Sequence, residues 1–109
     1  MTREEFNIEL RAGLAVSREN DMPDFLKEIL FKIILLNSVN DRYKFLSGGD
    51  KINCEVKAYQ DCCRLAVKYN PEKSEAYAYV MQIIRSSYAG TIVKIFKSNQ
   101  KKKDDNRTV

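Results

Sequence analysis

Histidine is absent from this 109-residue chain. Without it there is no imidazole base and no Ser–His or Cys–His nucleophile pair. The three cysteines, Cys54, Cys62 and Cys63, also lack the spacing and the histidine partners of a zinc site. In a helical pattern they read as small apolar fillers, which fits a reducing cytosol. Glycine is scarce, and Gly48-Gly49 is a lone pair between helices rather than a phosphate-cradling loop. Asp104-Asp105 sits in a polar tail unsuited to fixing a metal ion. Long apolar runs are missing too. Phe25 to Leu36 is the most apolar stretch, too short to span a bilayer and interrupted by Lys27, Glu28 and Lys32. The N-terminus is charged and amphipathic, not a secretory signal. These absences point away from catalysis, from any cofactor or metal, and from a membrane.

What is present is a single-domain length with 44% hydrophobic and 31% charged residues, ordinary for a globular chain. No segment alternates convincingly as a strand, and there are no internal repeats. The expected fold is all-α, a compact bundle of about four helices over residues 1–100, followed by a flexible basic tail over 101–109. Thr2-Arg3-Glu4-Glu5 is a capping-box pattern opening a helix through Phe6, Leu10, Leu14 and Val16 to about Ser17. Glu19 to Pro23 reads as a turn. A second helix from Asp24 to about Lys44 is apolar over more than half its circumference, which predicts a central position. Ser47-Gly48-Gly49-Asp50 reads as a loop. A third helix is expected from about Lys51 to Tyr69, with Val56, Tyr59, Cys63, Ala66 and Val67 inward and Asn53, Lys57, Gln60, Asp61, Arg64 and Lys68 outward.

Asn70-Pro71 breaks that helix, because the residue before proline is pushed out of the α region. The fourth helix is expected to open near Pro71, with Ser74 as N-cap, and to end at about Lys97 or a few residues further. Val80, Ile83, Ile84, Ser87, Thr91, Ile92 and Ile95 form its buried stripe. Tyr77, Tyr79, Gln82, Arg85, Ser86 and Ala89, then Lys94 and Lys97, lie off it. Aromatics, amides and cations on one helix are the means of stacking on bases and neutralising phosphates. Charge distribution agrees. Residues 1–53 carry eight basic and nine acidic side chains, a balance of −1, whereas residues 54–109 carry eleven and six, a balance of +5.

Three segments carry a family resemblance. They are Arg64-Leu65-Ala66-Val67-Lys68-Tyr69-Asn70-Pro71-Glu72-Lys73-Ser74, then Ala76-Tyr77-Ala78-Tyr79, then Gln82-Ile83-Ile84-Arg85. The chain resembles region 2 of the bacterial sigma factors, closest to the late sigma factors of T4-like bacteriophages. Ser17-Arg18-Glu19-Asn20-Asp21 and the apolar helix after it extend the likeness to roughly Glu4 to Lys103, its specific part being Lys57 to Lys97. The resemblance implies a third helix docked on the clamp helices of the largest RNA polymerase subunit, through Asn53, Lys57, Gln60, Asp61 and Arg64. It implies a fourth helix that holds the non-template strand of an AT-rich −10-like promoter element. Tyr77 and Tyr79 would stack on bases, Gln82, Arg85 and Ser86 would approach bases or the fork, and Lys94, Lys97 and Lys101 would contact phosphates.

The chain also departs from the family. Gln82-Ile83 stands where housekeeping members carry adjacent tryptophans, Val56 and Lys57 replace amide and acidic positions, and regions 3 and 4 and an acidic, hydrophobic clamp-binding tail are expected to be missing. The expectation is a minimal sigma factor of phage type without catalysis of its own, acting in the cytoplasm of an infected bacterium, with a phage co-activator as a further candidate partner. The alternatives are a regulator that occupies the sigma site on polymerase without reading DNA, a general basic helical DNA-binding protein, and a plain interaction bundle.

Overall fold

The computed structural model describes residues 2–17 and 22–107, with side chains through Ser98. Local side-chain chemistry sets most helix starts. The Thr2 hydroxyl accepts from the Glu5 amide at 3.2 Å and opens α1, Arg3–Ser17. Helix α2, Asp24–Ser38, begins directly after Pro23. It stops short of Lys44 because the Asn40 side chain accepts from the Arg42 amide at 3.1 Å. That bond starts a separate 3₁₀ turn, Asp41–Tyr43, which returns Tyr43 to the core. The expected glycine loop is instead the first turn of α3, Gly48–Leu65. There the Ser47 hydroxyl accepts from the Asp50 amide at 3.1 Å, an N-cap that overrides the glycines' poor helix propensity.

A 3₁₀ turn, Ala66–Lys68, closes α3. The following turn is fastened twice: Asn70 Oδ1 accepts from the Glu72 amide at 2.9 Å, and the Tyr69 hydroxyl donates to the Ser74 carbonyl at 2.8 Å. Helix α4 spans Ala76–Arg107. It opens later than the proline suggests, and Ser74 is not its cap. The cap comes from another helix: Asn7 of α1 accepts from the Tyr77 amide at 2.8 Å and donates to Glu75 at 3.2 Å. Its far end also differs: the pattern ended the helix at Lys97 or a few residues further, and the helix instead runs to Arg107, into the segment expected to be a flexible tail.

The core joins Phe6, Leu10 and Leu14 of α1 to Leu26, Leu30, Ile33 and Ile34 of α2 and to Val80, Ile84 and Tyr88 of α4. Helix α4 packs mainly on α3 and then on α1, while α2 closes the other side against α1 and α3. Helix α2 is therefore peripheral rather than central. Phe25, Phe31, Leu35 and Leu36 remain at its surface. Helix α3 is rotated relative to the expected facing. Cys54, Ala58, Asp61 and Cys62 are inward, while Val56 and Val67 are exposed and Tyr59 and Cys63 half-buried. Small side chains on the α4 side let the two helices approach closely, so the bulkier arc of α3 turns away. A close approach also fixes α1 on α2: a Cβ at Gly13 would lie 2.9 Å from Leu26 Cβ.

A helix of 32 residues is about 48 Å long. The molecule measures 56 × 26 × 25 Å, so the second half of α4 projects beyond the bundle. Among the described residues there is no strand, and no helix is long and apolar enough to cross a membrane.

Candidate nucleic-acid interface

The outer side of α4 meets the start of α1 in a shallow cleft of about 410 Å³, lined by Arg3, Tyr77, Met81, Gln82, Arg85 and Ser86. Helical spacing explains the α4 side, since residues three and four apart share a face. The Asn7 cap explains why α1 lies there at all. Tyr77 forms the wall between the helices. Its ring packs on Phe6 at 6.1 Å between centroids, and the Arg3 guanidinium stands 5.2 Å from its ring centre. Arg3 also pairs with Glu75 at 3.5 Å, an exposed and therefore weak contact. Four of the expected DNA-binding residues, Tyr77, Gln82, Arg85 and Ser86, are thus brought together.

On the other side of the Tyr77–Met81–Arg85 ridge lies a second cleft of about 250 Å³, floored by Phe6, Ile33 and Leu36 and edged by Asn37 and Asn40. The Asn37 amide nitrogen and the Ser38 and Tyr88 hydroxyls are buried together, with Asn37 and Ser38 facing the Tyr88 phenol but no bond of good geometry among the three. Burial pushes the Tyr88 phenol above its ordinary value. Paired amides, aromatic edges and an arginine around an apolar floor offer both stacking and edge hydrogen bonds to a planar polar ring.

Tyr79 does not join this surface. Two residues apart on a helix, Tyr77 and Tyr79 fall on opposite sides of the buried stripe. The Tyr79 hydroxyl donates to the Leu65 carbonyl at 2.6 Å, its ring lies 5.1 Å from that of Tyr69, and burial raises its phenol above the ordinary value. Its role is to fasten α4 to the end of α3, so the two-tyrosine platform is not formed. Lys94 and Lys97 are exposed on the projecting part of α4, about 13 and 18 Å along the axis from Arg85. The Lys101 backbone continues α4, and its side chain lies outside the described residues.

The expected polymerase-docking row divides as well. Asn53, Lys57, Gln60 and Arg64 are exposed along one face of α3, at the i, i+4, i+7, i+11 spacing that keeps them aligned. Asp61 is not among them. It is 9% exposed, turned toward α4, and accepts from the Ser87 hydroxyl at 2.5 Å. Lys57 at 3.1 Å and Arg64 at 3.6 Å bracket the same carboxylate. Burial alone would push this carboxyl up, but the bonds from Ser87 and Lys57 and the charges of Lys57 and Arg64 outweigh it and hold it below the usual range. Asp61 is a structural ion at the α3–α4 seam, and it orders two members of the row it was expected to join.

Arg3, Met81, Asn37 and Asn40 were not found from the sequence. Met81 is on α4 itself, and nothing local pairs Arg3, Asn37 or Asn40 with that helix; only Arg3, Phe6 and Asn7 recurring at three- and four-residue steps marks that face of α1. Comparison with protein-family models, curated proteins and solved structures finds no match to this chain.

Proposed function

We propose that this chain is a minimal transcription-initiation factor of the phage sigma type, which binds a host RNA polymerase core and holds one melted DNA strand of an AT-rich −10-like element in the infected cell's cytoplasm. The observation that carries the reading is the convergence of Tyr77, Gln82, Arg85 and Ser86 with Arg3 in one cleft. An aromatic wall, an amide, a hydroxyl and two guanidinium groups can stack on a base, read its edge and answer its phosphates. The neighbouring amide-edged cleft can receive a base that leaves the stack. Lys94 and Lys97 continue the basic track along α4. The row Asn53, Lys57, Gln60 and Arg64, beside the buried Asp61, supplies the polymerase contact in this reading.

The test is run-off transcription with purified core polymerase on AT-rich promoters, with strand binding measured in parallel. Tyr77→Ala and Arg85→Gln should each weaken binding of a single-stranded −10 oligonucleotide, the first by about 1–3 kcal/mol, the usual worth of one stacked base. Tyr79→Phe should leave it unchanged. Asn53→Arg with Gln60→Arg should weaken polymerase association at unchanged thermal stability. Initiation that does not depend on the protein, or strand affinity indifferent to Tyr77, would sink the reading. A second reading draws on the withdrawal of Tyr79 from the cleft: with one tyrosine left, the chain would occupy the sigma site on polymerase and block it. Polymerase binding without initiation and without strand affinity would select that alternative.

A further inference from the structure

The proposed DNA cleft and polymerase row leave the apolar face of the projecting half of α4 unused, beside the Lys94 and Lys97 already placed on the basic track. Where α4 leaves the bundle, Val93 and Phe96 are 50% and 55% exposed, and Phe45, from the segment after the 3₁₀ turn, is 59% exposed. The Phe45 and Phe96 rings stack on each other, 6.2 Å apart at 12°. Two large aromatics packed together yet more than half in water form a contiguous apolar patch, not two scattered surface residues. The helix continues it, since Ala89, Ile92, Val93 and Phe96 recur at the three- and four-residue steps that line one side.

The charge on the helical side of this patch is predominantly positive. Residues 1–93 carry thirteen basic and thirteen acidic side chains and are neutral, so the whole net charge of +4 belongs to residues 94–109. Lys94 and Lys97 are exposed beside the apolar stripe. A second copy laid along the same stripe would bring two cationic arms together, which opposes pairing with itself. An apolar helical stripe edged by lysines is complementary to an amphipathic helix whose edges are acidic.

We infer that the projecting half of α4, with Phe45, is a docking site for an acidic amphipathic helix of a partner protein. Phe96, Val93 and Phe45 anchor the partner's apolar residues, and Lys94 and Lys97 pair with its carboxylates. This stands independently of the transcription reading and requires neither polymerase nor DNA.

The probe is a synthetic helical peptide with leucine at its core-facing heptad positions and glutamate on both flanks, labelled for fluorescence anisotropy with the full chain. Saturable binding is expected, weakened at least tenfold in Phe45→Ser/Phe96→Ser and again in Lys94→Glu/Lys97→Glu, with helicity and thermal midpoint unchanged. A peptide with lysine in place of each glutamate should not bind. Binding of the lysine peptide equal to that of the glutamate peptide would overturn the proposal, as would affinity unaffected by the phenylalanine changes. A labelled single-stranded oligonucleotide is measured alongside. If the phenylalanine changes weaken the oligonucleotide and not the peptide, the face is a base-stacking surface and the proposal fails. Self-association that the same changes abolish would overturn it in favour of a dimer.

Discussion

At the α3–α4 seam the Asp61 carboxylate is answered by the Ser87 hydroxyl, Lys57 and Arg64. Removing either hydrogen-bonding partner leaves a largely buried group short of a bond. Ser87→Ala should therefore cost about 1–3 kcal/mol, read as a lower urea midpoint at unchanged slope. The folded-state pKa of Asp61 lies below the ordinary aspartate value of 3.8. The stability it contributes is then fully present above that value and lost as pH falls through the lower, folded one. Asp61→Asn should flatten the acid limb of stability against pH below about pH 4 while costing stability at neutral pH. An acid limb unchanged in that variant would mean that the Asp61 carboxylate does not hold the seam. The thiols separate on the same principle. Burial pushes Cys62 up to about 12 and also raises Cys54, whereas Cys63 is only half-buried, 3.9 Å from the Met22 sulfur. A thiol-specific reagent should modify Cys63 first in the native protein, and the other two only on unfolding; mass mapping of the labelled site decides it.

At the scale of elements, contacts between helices matter more than the propensities within them. Gly13 has no φ that demands glycine; it is there because Leu26 sits where a side chain would go. Gly13→Ala should destabilise by about 1–3 kcal/mol, the usual range for overpacking a helix contact, although alanine is the better helix former. A gain in thermal midpoint would show that α2 shifts freely. Asn7 is the other such residue. It caps α4 from α1, so Asn7→Ala should cost about 1 kcal/mol and loosen the wall of the proposed strand cleft at the same time. The four-helix content was legible from period and punctuation, with Thr2 and Pro23 at helix starts, whereas Ser47, read as part of a loop, is a cap. The facing of α3 was not. Ile52, Val56, Tyr59 and Cys63 form one apolar arc and Cys54, Ala58 and Cys62 another, and hydrophobicity favoured the arc that is partly in water. Helix proximity favoured the smaller one.

For the molecule as a whole, the neutral bundle and its cationic arm should behave as different materials. Amides of α3 from Cys54 to Cys62 and of α4 from Val80 to Tyr88 lie in the turns that carry the buried side chains, so they should exchange with solvent only through global unfolding. Those of α4 from Val93 to Ser98 lack tertiary cover on most sides and should exchange orders of magnitude sooner. Uniform protection across α4 would mean that the arm is packed in solution. Helical periodicity, one proline-marked break and the one-sided charge of residues 94–109 are local or additive properties, and from them the sequence alone determined an all-helical chain whose last helix is amphipathic and basic. Which residues of those helices meet is neither local nor additive. Tertiary structure turned Asp61 inward, fastened Tyr79 to the end of α3 and brought Arg3 beside Tyr77. Each depends on how closely two helices approach across a distance in sequence that no periodicity encodes.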